Sequence, residues 1–157
     1  MALKPRERSA ARLAAVQALY QMDLTGTSLP DILVEFENHW IGREVEGEQV
    51  AKAEVRHFRD IADGVVREQR TLDPMIDAAL TQGWPLKRIE TLMRAVLRAG
   101  AYELAFRPEV PARVVISEYV DVAAAFLDAE ETGMVNAVLD ALARRTRAKE
   151  FETPAAG

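Results

Sequence analysis

Apolar residues recur along this chain at helical spacing, and no run alternates apolar and polar positions as a half-buried strand would. Leu13, Val16, Tyr20 and Leu24 share one predicted helical face. TGTSLP breaks the pattern, with Ser28 a candidate cap and Pro30 suited to an early helical turn. Ile32, Leu33, Phe36 and Trp40 mark a second, short helix, and IGREVEGEQ reads as a polar, acidic loop between glycines. Val55, Phe58, Ala62 and Val65 form a third stripe. Thr71 is then expected to cap a separate short helix through Leu72, Ile76 and Leu80, with Gly83 as its stop.

GWPL is the best candidate boundary, because Gly and Pro punctuate it and a longer helix follows. Ile89, Leu92, Val96 and Gly100 lie on one face of that helix, which Arg107-Pro108 should end. Another helix opens at Pro111 and carries Val115, Tyr119, Val122 and Phe126. The last uses Val135, Val138, Leu139 and Leu142 before the basic RRTRAK. The reading is all-α, with seven helical segments in two small bundles: residues 1–83, residues 84–150, and a frayed tail at 151–157. Neither half is large enough to be comfortable alone, so burial between them should make one compact unit.

Composition removes several function classes. A hydrophobic fraction of 49% is ample for a core, whereas a formal net charge of -5 argues against whole-protein attraction to nucleic acid or anionic lipid. Any anion must be held by a local patch. Cysteine is absent, which excludes disulfides and thiolate metal sites. No apolar run approaches the roughly 20 residues of a membrane span, and MALKPRERSA lacks the apolar core of a secretory signal. A cytoplasmic protein without membrane association is expected. His39 and His57 fall in different helices, and no phosphate-cradling loop, nucleophile elbow or dinucleotide fingerprint is present. Neither catalysis, metal nor cofactor is expected.

Two basic regions remain. Arg144, Arg145, Arg147 and Lys149 lie at a helix carboxyl end, where cations are favourable and need no ligand to explain them. Lys4, Arg6, Arg8 and Arg12 lie at a helix amino end, where each is unfavourable by up to about 1 kcal/mol. Arg8 and Arg12 are four apart and so share a face. A bound polyanion would relieve that repulsion; a merely solvated leader is the alternative. Arg94 and Arg98, also four apart, suggest a second cationic strip.

AAVQALYQMD, HFRDIADGV, LMRAVLRAGAYEL and VPARVVISEYVDVAAAF followed by MVNAVLD resemble, in order and spacing, the motifs of the NusB transcription antitermination factors. The resemblance covers nearly the whole chain. It implies an all-helical fold of two packed three-helix bundles with about seven helices. It also implies a non-enzymatic protein that binds the boxA RNA of ribosomal RNA leaders together with NusE, a small-subunit ribosomal protein. That complex joins an RNA polymerase antitermination assembly, and a homodimer is a further state some members adopt. Carried over residue by residue, Lys4, Arg6, Arg8, Arg12 and Asn136 would contact RNA. Tyr20, Leu24, Met93 and Arg94 would contact NusE. Met93 stands where an acid is frequent, Glu131 where a serine is common, Gly133 where a cation is common, and Ala137 replaces the glycine of VNG. The acid and the missing cation weaken attraction to phosphate near Asn136. The alternative is an accessory RNA-binding domain like that of ribosomal RNA cytosine methyltransferases; a purely structural, self-associating helical protein is the third reading.

Overall fold

The computed structural model describes residues 5–41, 48–80 and 89–152, with side chains described at 8–38, 55–80 and 89–152. Helix α1 (Pro5–Thr25) starts on a proline, whose fixed φ suits a first helical turn. It closes at Gly26, which takes φ +72° and donates its N–H to the Met22 carbonyl at 2.9 Å. The expected apolar face of α1 needs correction. Its buried side is Ala11, Ala14, Ala15, Val16, Ala18 and Leu19, while Leu13 and Tyr20 are half-buried and Leu24 is 58% exposed. Alanine side chains let a neighbouring backbone come close, and a search for large apolar residues overlooks them.

Ser28 sits where a cap is expected, its carbonyl accepting from Ile32 N–H at 3.0 Å and its hydroxyl, weakly, from Asp31 N–H at 3.4 Å. Helix α2 (Leu29–Ile41) buries Ile32 and stacks Phe36 on Phe58 of α3, centroids 5.5 Å apart. The side chain of Trp40, residues 42–47 of the acidic loop, and GWPL with Gly83 lie outside the described residues.

Thr71 caps nothing. Helix α3 (Glu48–Ala79) runs unbroken through it, merging two expected helices, so the described residues form six α-helices and a short 3-10 helix. The physical reason lies in the stripe itself. Phe58, Ile61, Val65, Leu72 and Ile76 are all buried, and they continue at helical spacing across Thr71. Pro74 lacks the N–H that would bond the Arg70 carbonyl, but Arg70 is exposed, so water can take that oxygen.

Helix α4 (Thr91–Phe106) is the hub: it packs against α1, α3, α5 (Ala112–Phe126) and α6 (Ala129–Thr146), and one core cluster joins them all. It ends before Arg107-Pro108, as expected. Asp128 caps α6 by accepting from Glu131 N–H at 2.8 Å, so α6 begins ahead of its apolar stripe. Arg147, expected merely to favour a helix end, is buried. Its guanidinium donates to the carbonyl oxygens of Glu103 (3.1 Å), Leu104 (2.7 Å), Arg107 (2.7 Å) and Val110 (2.9 Å). These include carbonyls that the end of α4 leaves without helical partners. Phe151, at the start of the expected tail, lies in the 3-10 helix (Ala148–Phe151) under Arg144, 4.8 Å from its ring centroid.

Gly64 is required by a close approach: a Cβ there would stand 2.2 Å from Cζ of the buried Tyr102. Gly133 on α6 meets nothing within 4 Å. Gly64→Ala should therefore destabilise the protein by about 1–3 kcal/mol through overpacking. Gly133→Ala should stabilise it by up to about 1 kcal/mol through helix propensity. Urea unfolding of the two variants checks the opposite signs.

Candidate nucleic-acid interface

The amino-terminal cations do not share one fate. Lys4 and the side chain of Arg6 lie outside the described residues. Arg12 is 0% exposed and reaches α4, where its Nε donates to Glu103 Oε2 at 2.8 Å and its Nη2 to Oε1 at 2.9 Å. The Tyr119 hydroxyl of α5 donates to the same carboxylate. Glu118 stands 3.6 Å from Arg12 Nη1 and accepts from the Ser9 hydroxyl at 2.6 Å. Burial disfavours the Arg12 cation, but the Glu103 carboxylate more than offsets this and raises its pKa above the ordinary value. Burial and the same carboxylate push the Tyr119 phenol well up, keeping it a neutral donor. The Arg12 charge, expected at an RNA contact, is thus paired with Glu103 inside the fold, its buried side chain backing the two clefts that Arg8 lines.

Arg8, half-buried one turn earlier, lines two clefts. One, of about 420 Å³, runs between α1, α3 and the α4–α5 connection, where Arg107 holds Asp60. Burial would raise the Asp60 carboxyl, yet hydrogen bonds from Arg107 and from Tyr102 (2.9 Å) hold it below its ordinary value. Burial lowers the His57 imidazole in the same wall, favouring its neutral form. The other cleft, of about 370 Å³, opens onto α5 at Arg113, Val114, Ser117 and Glu118.

Asn136 is exposed and lines a third cleft of about 620 Å³ with Val120 and Ala124 of α5, Leu127, Thr132 and Gly133. Arg8 and Asn136 share no cleft, but α5 connects theirs. Arg113, Ser117, Val120 and Ala124 follow one helical face at spacings of four, three and four. That face is roughly opposite the side buried through Val115, Tyr119 and Val122. It forms a track of about 16 Å at 1.5 Å per residue from the Arg8 cleft to the Asn136 cleft. Sequence reasoning missed the track because its small and mixed side chains carry no motif; the outward phase of α5 is the only signal for it.

The residues expected to meet a protein partner also divide. Met93 is 3% exposed and belongs to the core, which corrects its expected surface role: the apolar side chain replacing a frequent acid is buried, not offered. Tyr20 is half-buried, and Leu24 is the most exposed large apolar residue described. Arg94 Nε lies 3.6 Å from Asp23, the neighbour of Leu24, which puts the end of α1 beside the start of α4. Arg98 forks onto Asp73 with two bonds of 2.9 Å and reaches Asp23 at 3.3 Å. The expected Arg94–Arg98 strip is therefore neutralised by aspartates. Among the described residues, no group of three or more histidines and carboxylates could hold a metal ion, and no helix is long and apolar enough to cross a membrane.

Breaking the buried pair singly, by Arg12→Met or Glu103→Gln, should cost about 3–5 kcal/mol, because the remaining charge is left buried and uncompensated. The double variant should lose clearly less than the sum. A urea double-mutant cycle checks the coupling.

The sequence profile of the NusB family matches residues 9–144. The chain is 65% identical over 148 residues to the transcription antitermination protein NusB of Bradyrhizobium diazoefficiens, covering 94% of this chain and 90% of that one. Among solved structures it is similar to T. maritima NusB (TM-score 0.74, 28% identity, 93% of this chain and 97% of that one). It is also similar to a chain in the crystal structure of the antitermination factors NusB and NusE in complex with dsRNA (TM-score 0.75, 26% identity, 89% and 98%). The chain belongs to the NusB family of transcription antitermination factors, and it is not an enzyme.

Proposed function

We propose that this protein binds a single-stranded boxA element of ribosomal RNA leader transcripts together with NusE, in the cytoplasm, and carries it into an RNA polymerase antitermination complex. The observation that carries the reading is the α5 track joining the Arg8 cleft to the Asn136 cleft. Arg8 supplies a phosphate contact at one end, with Arg113 beside it, and Lys4 and Arg6, which precede it in the sequence, supply further ones. Asn136 offers its amide to a base edge at the other. Arg12 serves as a brace for α1, not as a contact. A solved relative is described in complex with NusE and dsRNA. The reading proposed for this chain is a single strand, whose unstacked bases can present their edges to side chains.

NusE is assigned to the surface of Tyr20, Leu24 and Arg94, where an exposed leucine adjoins the Asp23–Arg94 pair. Met93 lies behind that surface and shapes it only by packing. A homodimer that covered the RNA surface would compete with RNA.

RNA binding measured against salt tests the reading. Each phosphate contact to a single strand contributes about 0.7 to the slope of log affinity on log salt. Arg8→Ala should lower the slope by about that amount, whereas Gly133→Lys, which restores a cation where the helix has open space, should raise it similarly. A boxA RNA that binds no better than a scrambled one, with and without NusE, would remove the assignment. Leu24→Asp should abolish NusE association by calorimetry while leaving binding of RNA alone unchanged.

A further inference from the structure

Helix α3 carries a second cationic feature that the RNA reading does not use. Arg56, Arg59, Arg67 and Arg70 are all exposed, at spacings of three, eight and three, and so follow one face of the helix. The row is about 21 Å long at 1.5 Å per residue. It is conspicuous on a chain whose formal net charge is -5. Arg59 pairs with Glu37 of α2, and Arg67 with Asp63 (2.7 Å) and Glu68 (3.4 Å). Those arginine side chains remain 53% and 52% exposed, so water screens both pairs. Arg56 and Arg70, near the ends of the row, have no carboxylate in ion-pair range among the described residues.

The row is continuous with the Arg8 cleft. Arg107, in the wall of that cleft, binds Asp60 of α3 and lies over the Tyr102 ring at 5.3 Å. Asp60 and Arg67 are seven residues apart on α3, two turns along the same face. Cations therefore lead from Arg8 across Arg107 to Arg67 and along α3, on the side of Arg8 away from the α5 track. An exposed carboxylate partner is readily exchanged for a phosphate, which presents the same fork of oxygens to a guanidinium.

We propose that the Arg56–Arg70 face of α3 binds the phosphate backbone of RNA flanking the segment held on α5, making the RNA footprint two-armed. This rests on the RNA-binding reading above. It adds a surface of its own and carries no base preference, since backbone contacts position without specifying sequence.

The test titrates the full chain with a boxA-only RNA and with RNAs extended by unrelated sequence on the 5′ or the 3′ side, across a salt series. One extension should raise the log-log slope by about 1.4, two contacts at about 0.7 each. Arg56→Ala/Arg70→Ala should abolish that increment while leaving affinity and slope for the boxA-only RNA unchanged. Equal slopes for short and extended RNAs, or a double variant weakened equally on both, would overturn the proposal while leaving the boxA reading intact. Should the boxA-only RNA fail to bind, that reading falls. The α3 surface would then still be supported by an extended RNA that binds only with Arg56 and Arg70 present, and overturned if no RNA binds. An added poly-glutamate peptide that binds through these arginines where extended RNA does not would assign the face to an acidic protein and overturn it as well.

Discussion

The carboxylate of Glu103 is the fixed point of this fold. It lies on the central helix, fully buried, and receives two bonds from Arg12 and one from Tyr119. Charges removed from water are costly, and mutual attraction compensates only where the geometry is good and the remaining lone pairs are satisfied. The fork of Arg12 and the phenol of Tyr119 satisfy the carboxylate, while Arg12 Nη1 makes no hydrogen bond and lies 3.6 Å from Glu118. Each bond also fixes a helix: the first sets the position of α1 against α4, the second the rotation of α5 about its own axis. Apolar contacts alone would tolerate small rotations of α1, whose buried face is largely alanine. The ion pair defines the register that those small side chains leave loose.

Two further arginines do similar work around α4. Arg147 closes its carboxyl end from α6, and Arg107, just beyond that end, reaches back to Asp60 on α3. The hub helix is thus tied to α1, α3, α5 and α6 by directional bonds as well as by packing. Tyr102 pushes its ring against the backbone at Gly64, so the contact between α3 and α4 depends on that residue having no side chain.

The legible parts of the sequence were those carried by large aliphatic residues. Val115, Tyr119 and Val122, and Val135, Val138, Leu139 and Leu142, are buried as their spacing predicts. The helix count and the face of α1 depart from the sequence pattern for identifiable reasons. Thr71 is a cap residue by type, but the apolar stripe of α3 continues through it. The largest apolar residues of α1 do not mark its buried face, because its alanines are what pack. The site divided along the same line. Arg8 and Arg12 are equivalent in local sequence, and only Glu103, 91 residues away, separates a buried brace from a rim cation. A guanidinium states its charge in the sequence but not its partner. Met93 likewise looked like a surface change and is a core residue.

The unfavourable placement of cations at the start of α1 therefore has two physical explanations. Arg12 lies beyond the first turn of α1, where the dipole is weak, and the Glu103 carboxylate answers its charge at 2.8 Å with both side chains fully buried. Arg8, half-buried at the junction of two clefts, keeps its charge near a surface where a phosphate can approach. The two roles are linked through α5. Because Tyr119 turns inward to Glu103, Arg113, Ser117, Val120 and Ala124 on the opposite side must turn outward, and those residues join the Arg8 cleft to that of Asn136. The buried ion pair thereby determines which face of α5 meets solvent, and with it the path open to a strand of RNA.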